Sequence, residues 1–132
     1  MVSANFEVSN AKLDKMKKLK PELVPCNRAT YRAISDAMDV LNGSWKLPIL
    51  VSLKEGPKRF RQIAKEVQGI SDKMLSKELK NLESNYLVTR TVRDTFPPTV
   101  EYEVTQHTRT LEEVMLALRN WGILHRKKVM GK

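Results

Sequence analysis

Lys73, Lys77 and Lys80 recur at intervals of four and three residues, the spacing that brings side chains to one face of a helix. Three ammonium groups so placed can neutralise the phosphates of a nucleic acid, as can the guanidinium groups of Arg90 and Arg93 nearby in the chain and that of Arg59, which reads equally as a brace for the hairpin. Ser76 adds a small hydroxyl suited to a base edge, whereas Ser71 reads equally as a helix cap. Catalytic chemistry has no comparable set. Asp36 and Asp39 lie one helical turn apart, but a solvated helix face accounts for them. His107 and His125 are distant from each other and belong to no metal-ligand pattern, and neither a glycine-rich phosphate loop nor a nucleophile motif occurs. No enzyme, metal or cofactor is expected. Cys26, the single cysteine, excludes an intramolecular disulfide framework. It reads either as a small buried hydrophobe or, beside a predicted helix start and Arg28, as a reactive thiol.

Whatever positions these groups must fit within 132 residues, 41% hydrophobic and 30% charged, which suits a single core. Twenty-four basic against fifteen acidic residues leave +9. Between Lys58 and Arg93 nine basic residues face four acidic ones, a net +5, so about a quarter of the chain holds more than half of the excess. An anionic partner is therefore sought there. No apolar run approaches the roughly 18–20 residues of a membrane span and no export signal is visible, so a cytoplasmic, reducing setting with no membrane partner is expected.

Residues 1–25 read as a basic arm or marginal helix, with Leu13, Met16 and Leu19 set among lysines. The domain proper is expected over 26–132. Helical spacing predicts a helix over 31–41 with Thr30 as its cap, then one capped by Ser44 that is apolar nearly all round and hence central. An extended stretch at 58–60, a short helix over 61–67 and the turn Gln68-Gly69-Ile70 lead to a helix that Ser71 caps and Asn85 ends in the left-handed conformation. The pattern then changes period. Residues 86–93 are rich in β-branched types and 100–105 alternate apolar with polar, on either side of Asp94-Thr95-Phe96-Pro97-Pro98, predicting a hairpin. A long last helix is apolar on two sides, one for its own domain and one for another subunit, with Leu111, Met115, Leu118, Trp121 and Leu124 as candidate dimer residues.

Two short helices joined by a tight turn, the second basic and followed by a basic hairpin, match a helix-turn-helix with a wing. The run from Val40 to Leu50 (VLNGSWKLPIL) resembles the signature of the HxlR-type winged helix-turn-helix regulators. Gly56 to Phe60, Gly69 to Leu75, Pro97 to Tyr102 and Trp121-Gly122 extend the resemblance in the family's order, from about Cys26 to His125. It implies an α+β, mostly helical fold with a two-stranded β-hairpin wing and terminal dimerisation helices. It also implies a homodimer that binds double-stranded DNA through the helix starting at Ser71. Asn85 and Thr108 stand where the family commonly has glycine, and Thr108 suggests a differently started last helix. Some regulators of this type sense oxidants or electrophiles through a cysteine matching Cys26.

The expected function is a sequence-specific transcriptional regulator on a pseudo-palindromic operator, with Arg59, Ser71, Lys73, Ser76, Lys77, Lys80, Arg90 and Arg93 at the DNA. The alternative is a winged-helix protein-interaction module, against which the charge of residues 58–93 argues.

Overall fold

The computed structural model describes residues 23–131, so the expected basic arm lies outside the described residues except for 23–25. The elements are α1 (Arg28–Leu41), α2 (Lys46–Leu53), β1 (Lys58–Arg59), α3 (Phe60–Glu66), α4 (Asp72–Ser84), β2 (Val88–Arg93), β3 (Thr99–Val104), a 3-10 turn (Thr108–Leu111) and α5 (Glu112–Met130). This is the mostly helical α+β arrangement expected. The chain forms two compact units that divide between Val40 and Leu41.

The first unit is represented by most of α1. Its cap is Asn27, whose side-chain oxygen accepts the Thr30 backbone N–H at 2.8 Å, so Thr30 lies inside the helix rather than at its cap. Asn and Thr both cap well, and the chain uses the earlier one. Tyr31, Ile34 and Met38 are exposed on α1.

In the second unit, α2 has Trp45 at its N-cap with no side-chain cap bond, so Ser44 does not cap it. Pro48 falls in the first turn, where no intrahelical partner for its missing N–H is lost. Ile49, Leu50 and Leu53 are fully buried but Val51 is about half exposed, so this helix is buried on one side and not all round. Ile63 and Val67, from and just after α3, and Leu75, Leu79 and Leu82 of α4 are the other buried apolar side chains of these helices and complete the helical part of the core.

Lys46 and Glu78 are an ion pair inside this core. The ammonium donates to Glu78 Oε1 at 2.8 Å, to Asn42 Oδ1 at 3.1 Å and to the Asn42 carbonyl at 3.4 Å, with side chains only 7% and 10% exposed. A buried charge persists only when paired and hydrogen-bonded, and both conditions are met here.

β1 joins the hairpin, giving a three-stranded antiparallel sheet in the order β1-β3-β2 instead of two strands alone. Lys58 pairs with Tyr102 and Arg59 with Glu101, while β2 and β3 run in register from Val88 opposite Val104 to Arg93 opposite Thr99. Two residues of β1 form too short a run for alternation to reveal it as a strand.

The reversal after α4 is made by Tyr86 at φ +63°, not by Asn85, whose φ is −96°. The Asn85 carboxamide donates back to the Asn81 carbonyl at 2.9 Å, and Leu87 N–H reaches the Leu82 carbonyl at 2.9 Å, so the left-handed residue falls one place later. Thr105 and Thr108 then clamp this turn. Thr105 Oγ1 donates to the Tyr86 carbonyl at 2.7 Å and the buried Thr108 hydroxyl donates to that of Leu87. Thr108 thus opens a 3-10 turn ahead of α5, the altered start that its side chain suggests.

Replacing Glu78 by Ala strands the Lys46 charge and should lower unfolding free energy by about 3 kcal/mol. The double substitution Lys46→Met with Glu78→Leu should recover most of the loss in urea denaturation.

Candidate nucleic-acid interface

Between α3 and α4 the backbone reverses at Gly69, with φ +91°. A Cβ there would meet Trp45 at an ordinary 3.7 Å, so conformation rather than space requires the glycine. Ser71 then starts α4 as expected: its hydroxyl accepts the Met74 N–H at 3.1 Å. Asp72, in the first turn, complements the helix dipole.

Leu75, Glu78, Leu79 and Leu82 are the buried residues of α4. Lys73, Lys77 and Lys80 fall within about 60° of arc on the opposite side, at 100° per residue. All three are exposed, and none joins a salt bridge among the described residues. Ser76 is half-buried beside them. By composition α4 is neutral, with three lysines against Asp72, Glu78 and Glu83. In the fold Lys46 of α2 neutralises Glu78, and Arg61 of α3 reaches Asp72 at 2.6 Å. Neighbouring helices thus hold two of the three acids, and Glu83 alone stays exposed without a salt bridge among the described residues, so three free lysines outweigh it on the exposed face.

The other cations separate into groups. Lys58 is buried, paired with Glu66 and, at 3.3 Å, with Glu55. It braces the frame instead of meeting a ligand. Arg59 is exposed, and its backbone N–H donates to Gln62 Oε1 at 2.9 Å to start α3. Arg61 and Lys65 are exposed one turn apart on α3, where the first helix of such a motif crosses a backbone. The charge count contains both, but only the fold reveals which α3 face they occupy.

Arg90 and Arg93 lie on opposite faces of the hairpin, because their positions differ by an odd number of residues. Arg93 Nε donates to Glu101 at 3.0 Å, whereas Arg90 pairs across the sheet with Tyr102 and is exposed. Asp94, Glu101 and Glu103 offset both arginines, so the hairpin is not a strongly basic element.

Cys26, in the first unit, is exposed with Sγ 2.8 Å from the Tyr31 hydroxyl. That hydrogen bond, with a smaller contribution from desolvation, raises the Tyr31 pKa. On α5 no residue is buried. Leu111 and Met115 are half-buried, and Met115 lines a shallow cleft with Leu50 and Val104. Leu118, Trp121 and Leu124 are exposed, with the Trp121 ring stacked on His125 at 4.8 Å. Among the described residues no group of His, Cys, Asp and Glu suits a metal, and no helix is long and apolar enough to cross a membrane.

Residues 40–130 match the family of HxlR-like helix-turn-helix proteins. The HTH-type transcriptional regulator YtcD of Bacillus subtilis is 34% identical over 99 residues, 75% of this chain and 79% of its own. The redox regulator HypR in its reduced form is similar with a TM-score of 0.70 and 32% identity, over 76% of this chain and 99% of that one. Diamide-treated YodB from B. subtilis gives a TM-score of 0.61 at 34% identity, over 70% of this chain and 91% of its own.

The Lys58 network that braces α3 and β1 makes stability depend on pH. Hydrogen bonds from Lys58 first, then Ser52, hold the Glu66 carboxyl below its usual pKa, while the bond to Glu66 raises that of Lys58 against the opposing effect of burial. A depressed carboxyl stabilises the fold above its unfolded pKa and loses that contribution as pH falls through the folded one. The raised lysine contributes below its unfolded pKa and loses its share as pH rises through the folded value. The melting-temperature gap between wild type and Glu66→Gln should be steady at neutral pH and close below about pH 4.

Proposed function

The chain belongs to the HxlR-like helix-turn-helix family, whose relatives are transcriptional regulators, and on that footing we propose that it binds DNA sequence-specifically as a homodimer on a pseudo-palindromic operator. The observation that carries this reading is the three-lysine face of α4, exposed and free of acidic partners on the second helix of a helix-turn-helix. α4 enters the major groove, where Lys73, Lys77 and Lys80 meet phosphates and Ser76 faces base edges. Ser71 fixes the start of α4. Arg59 and Arg90 reach flanking phosphates, and Arg93 does so when it leaves Glu101.

A second copy supplies the other half-site. Leu118, Trp121 and Leu124 expose a continuous apolar area on a helix with no buried residue, which suits burial against an identical helix about a two-fold axis. Leu111 and Met115 lie nearer the helix's own domain and form the edge of that contact. Half-sites then fall about one DNA turn, ~34 Å, apart.

Cys26 is the redox-responsive group in this reading. Its thiol is exposed, and relatives of known structure include a redox regulator and a diamide-treated protein. Two Cys26 thiols from separate subunits form one S–S bond, passing two electrons and two protons to an oxidant such as diamide. The cross-link changes the separation of the two α4 helices and hence operator affinity.

Anisotropy titrations with duplexes selected from a random pool test the DNA face. Affinity should fall steeply with salt, and Lys77→Ala should reduce the slope of log K against log salt by about 0.9 as one phosphate contact is lost. Equal affinity and slope for variant and wild type would exclude this face. For the thiol, diamide should shift the operator affinity of wild type and yield a disulfide-linked dimer on a non-reducing gel, with Cys26→Ser inert to both. A wild type whose affinity ignores diamide eliminates sensing at Cys26.

A further inference from the structure

Asp72 is an acid in the first turn of α4, beside its lysine stripe, and helix-dipole complementarity alone would be served by any acid in that turn. What singles it out is Arg61. The guanidinium lies 2.6 Å from Asp72 Oδ1 and 5.1 Å from the centre of the Phe60 ring, so two groups orient it. Both side chains nevertheless remain well exposed, 69% and 65%. Exposed ion pairs add little to stability, so holding the fold together is a weak explanation for this one. A bare carboxylate at this place would be repelled by phosphates. Arg61 cancels its charge through one oxygen, and among the described residues no hydrogen bond or salt bridge engages the other.

A carboxylate only accepts hydrogen bonds. In the major groove the donors are the exocyclic amines of cytosine and adenine, and adenine sets the N7 acceptor beside its amine, where it opposes a carboxylate. Cytosine is the base that fits. Asp72 and Ser76 are also one turn apart on the same flank of α4, beside the lysine stripe. Given the DNA-binding reading above, we infer that Asp72 is a specificity-determining residue that accepts a hydrogen bond from a cytosine amine in each half-site. Arg61 is its positioning residue, and the lysines supply affinity without base preference.

Duplex selection from a random pool, run with the full chain as wild type, Asp72→Ala and Asp72→Asn, tests this. Wild type should enrich a C·G pair at one position per half-site. Asp72→Ala should lose about tenfold discrimination at that pair and keep the preferences elsewhere. Asp72→Asn should move the preference to A·T, since a carboxamide pairs with the amine and N7 of adenine. Arg61→Lys should preserve the cytosine preference and Arg61→Ala weaken it. A merely structural Asp72 would affect all positions together, and melting curves that show each variant folded at the assay temperature separate a lost contact from a lost fold. Identical base preferences in wild type and Asp72→Asn overturn the inference while leaving the operator reading intact. A wild type that enriches no sequence overturns both.

Discussion

The fold is organised around a charge placed where charges are costly. Glu78 sits on the buried face of α4 among Leu75, Leu79 and Leu82, and it is tolerable there only because Lys46 of α2 reaches it at 2.8 Å. Asn42 takes two more of the ammonium's hydrogen bonds, so neither partner is left unsatisfied. A pair of this kind contributes less to stability than to geometry, since only one rotation of α4 brings Glu78 to Lys46. That rotation turns Lys73, Lys77 and Lys80 to solvent. The buried pair and the exposed stripe are two consequences of one helix orientation.

Further polar links extend the constraint from α4 to the elements around it. Lys58 and Glu66 join β1 to α3, and Ser52 of α2 adds a bond to Glu66 at 3.1 Å. At the other end of α4, Thr105 and Thr108 take the Tyr86 and Leu87 carbonyls, tying the exit of the helix to the start of α5. A change in α5 therefore has a hydrogen-bonded route to the basic helix.

Much of this was legible in the chain. The Ser71 cap, the apolar stripe of α4, the hairpin and the run from Val40 to Leu50 all depend on neighbours within a few residues, and the sequence pattern contains such neighbours. Details that depend on competition between equivalent groups were less so. Asn27 and Thr30 can both cap, and Asn27 does; Asn85 and Tyr86 both stand at a helix end, and the bond of Asn85 to Asn81 passes the left-handed conformation to Tyr86. The pairing of β1 with β3 was invisible because two residues have no period.

The sequence by itself determined the order of elements, the location of the helix-turn-helix and the concentration of basic residues between Lys58 and Arg93, since each follows from local composition and spacing. Only the tertiary structure decided which of those charges are paired with acids. Lys58, Arg61 and Arg93 are paired with acids, while Lys73, Lys77 and Lys80 are not, and α4 changes from neutral in composition to cationic on its outer face. Ion pairing acts over a few ångströms between residues that can be far apart in the chain, as with the 32 positions separating Lys46 from Glu78, so a count along the sequence cannot reveal it.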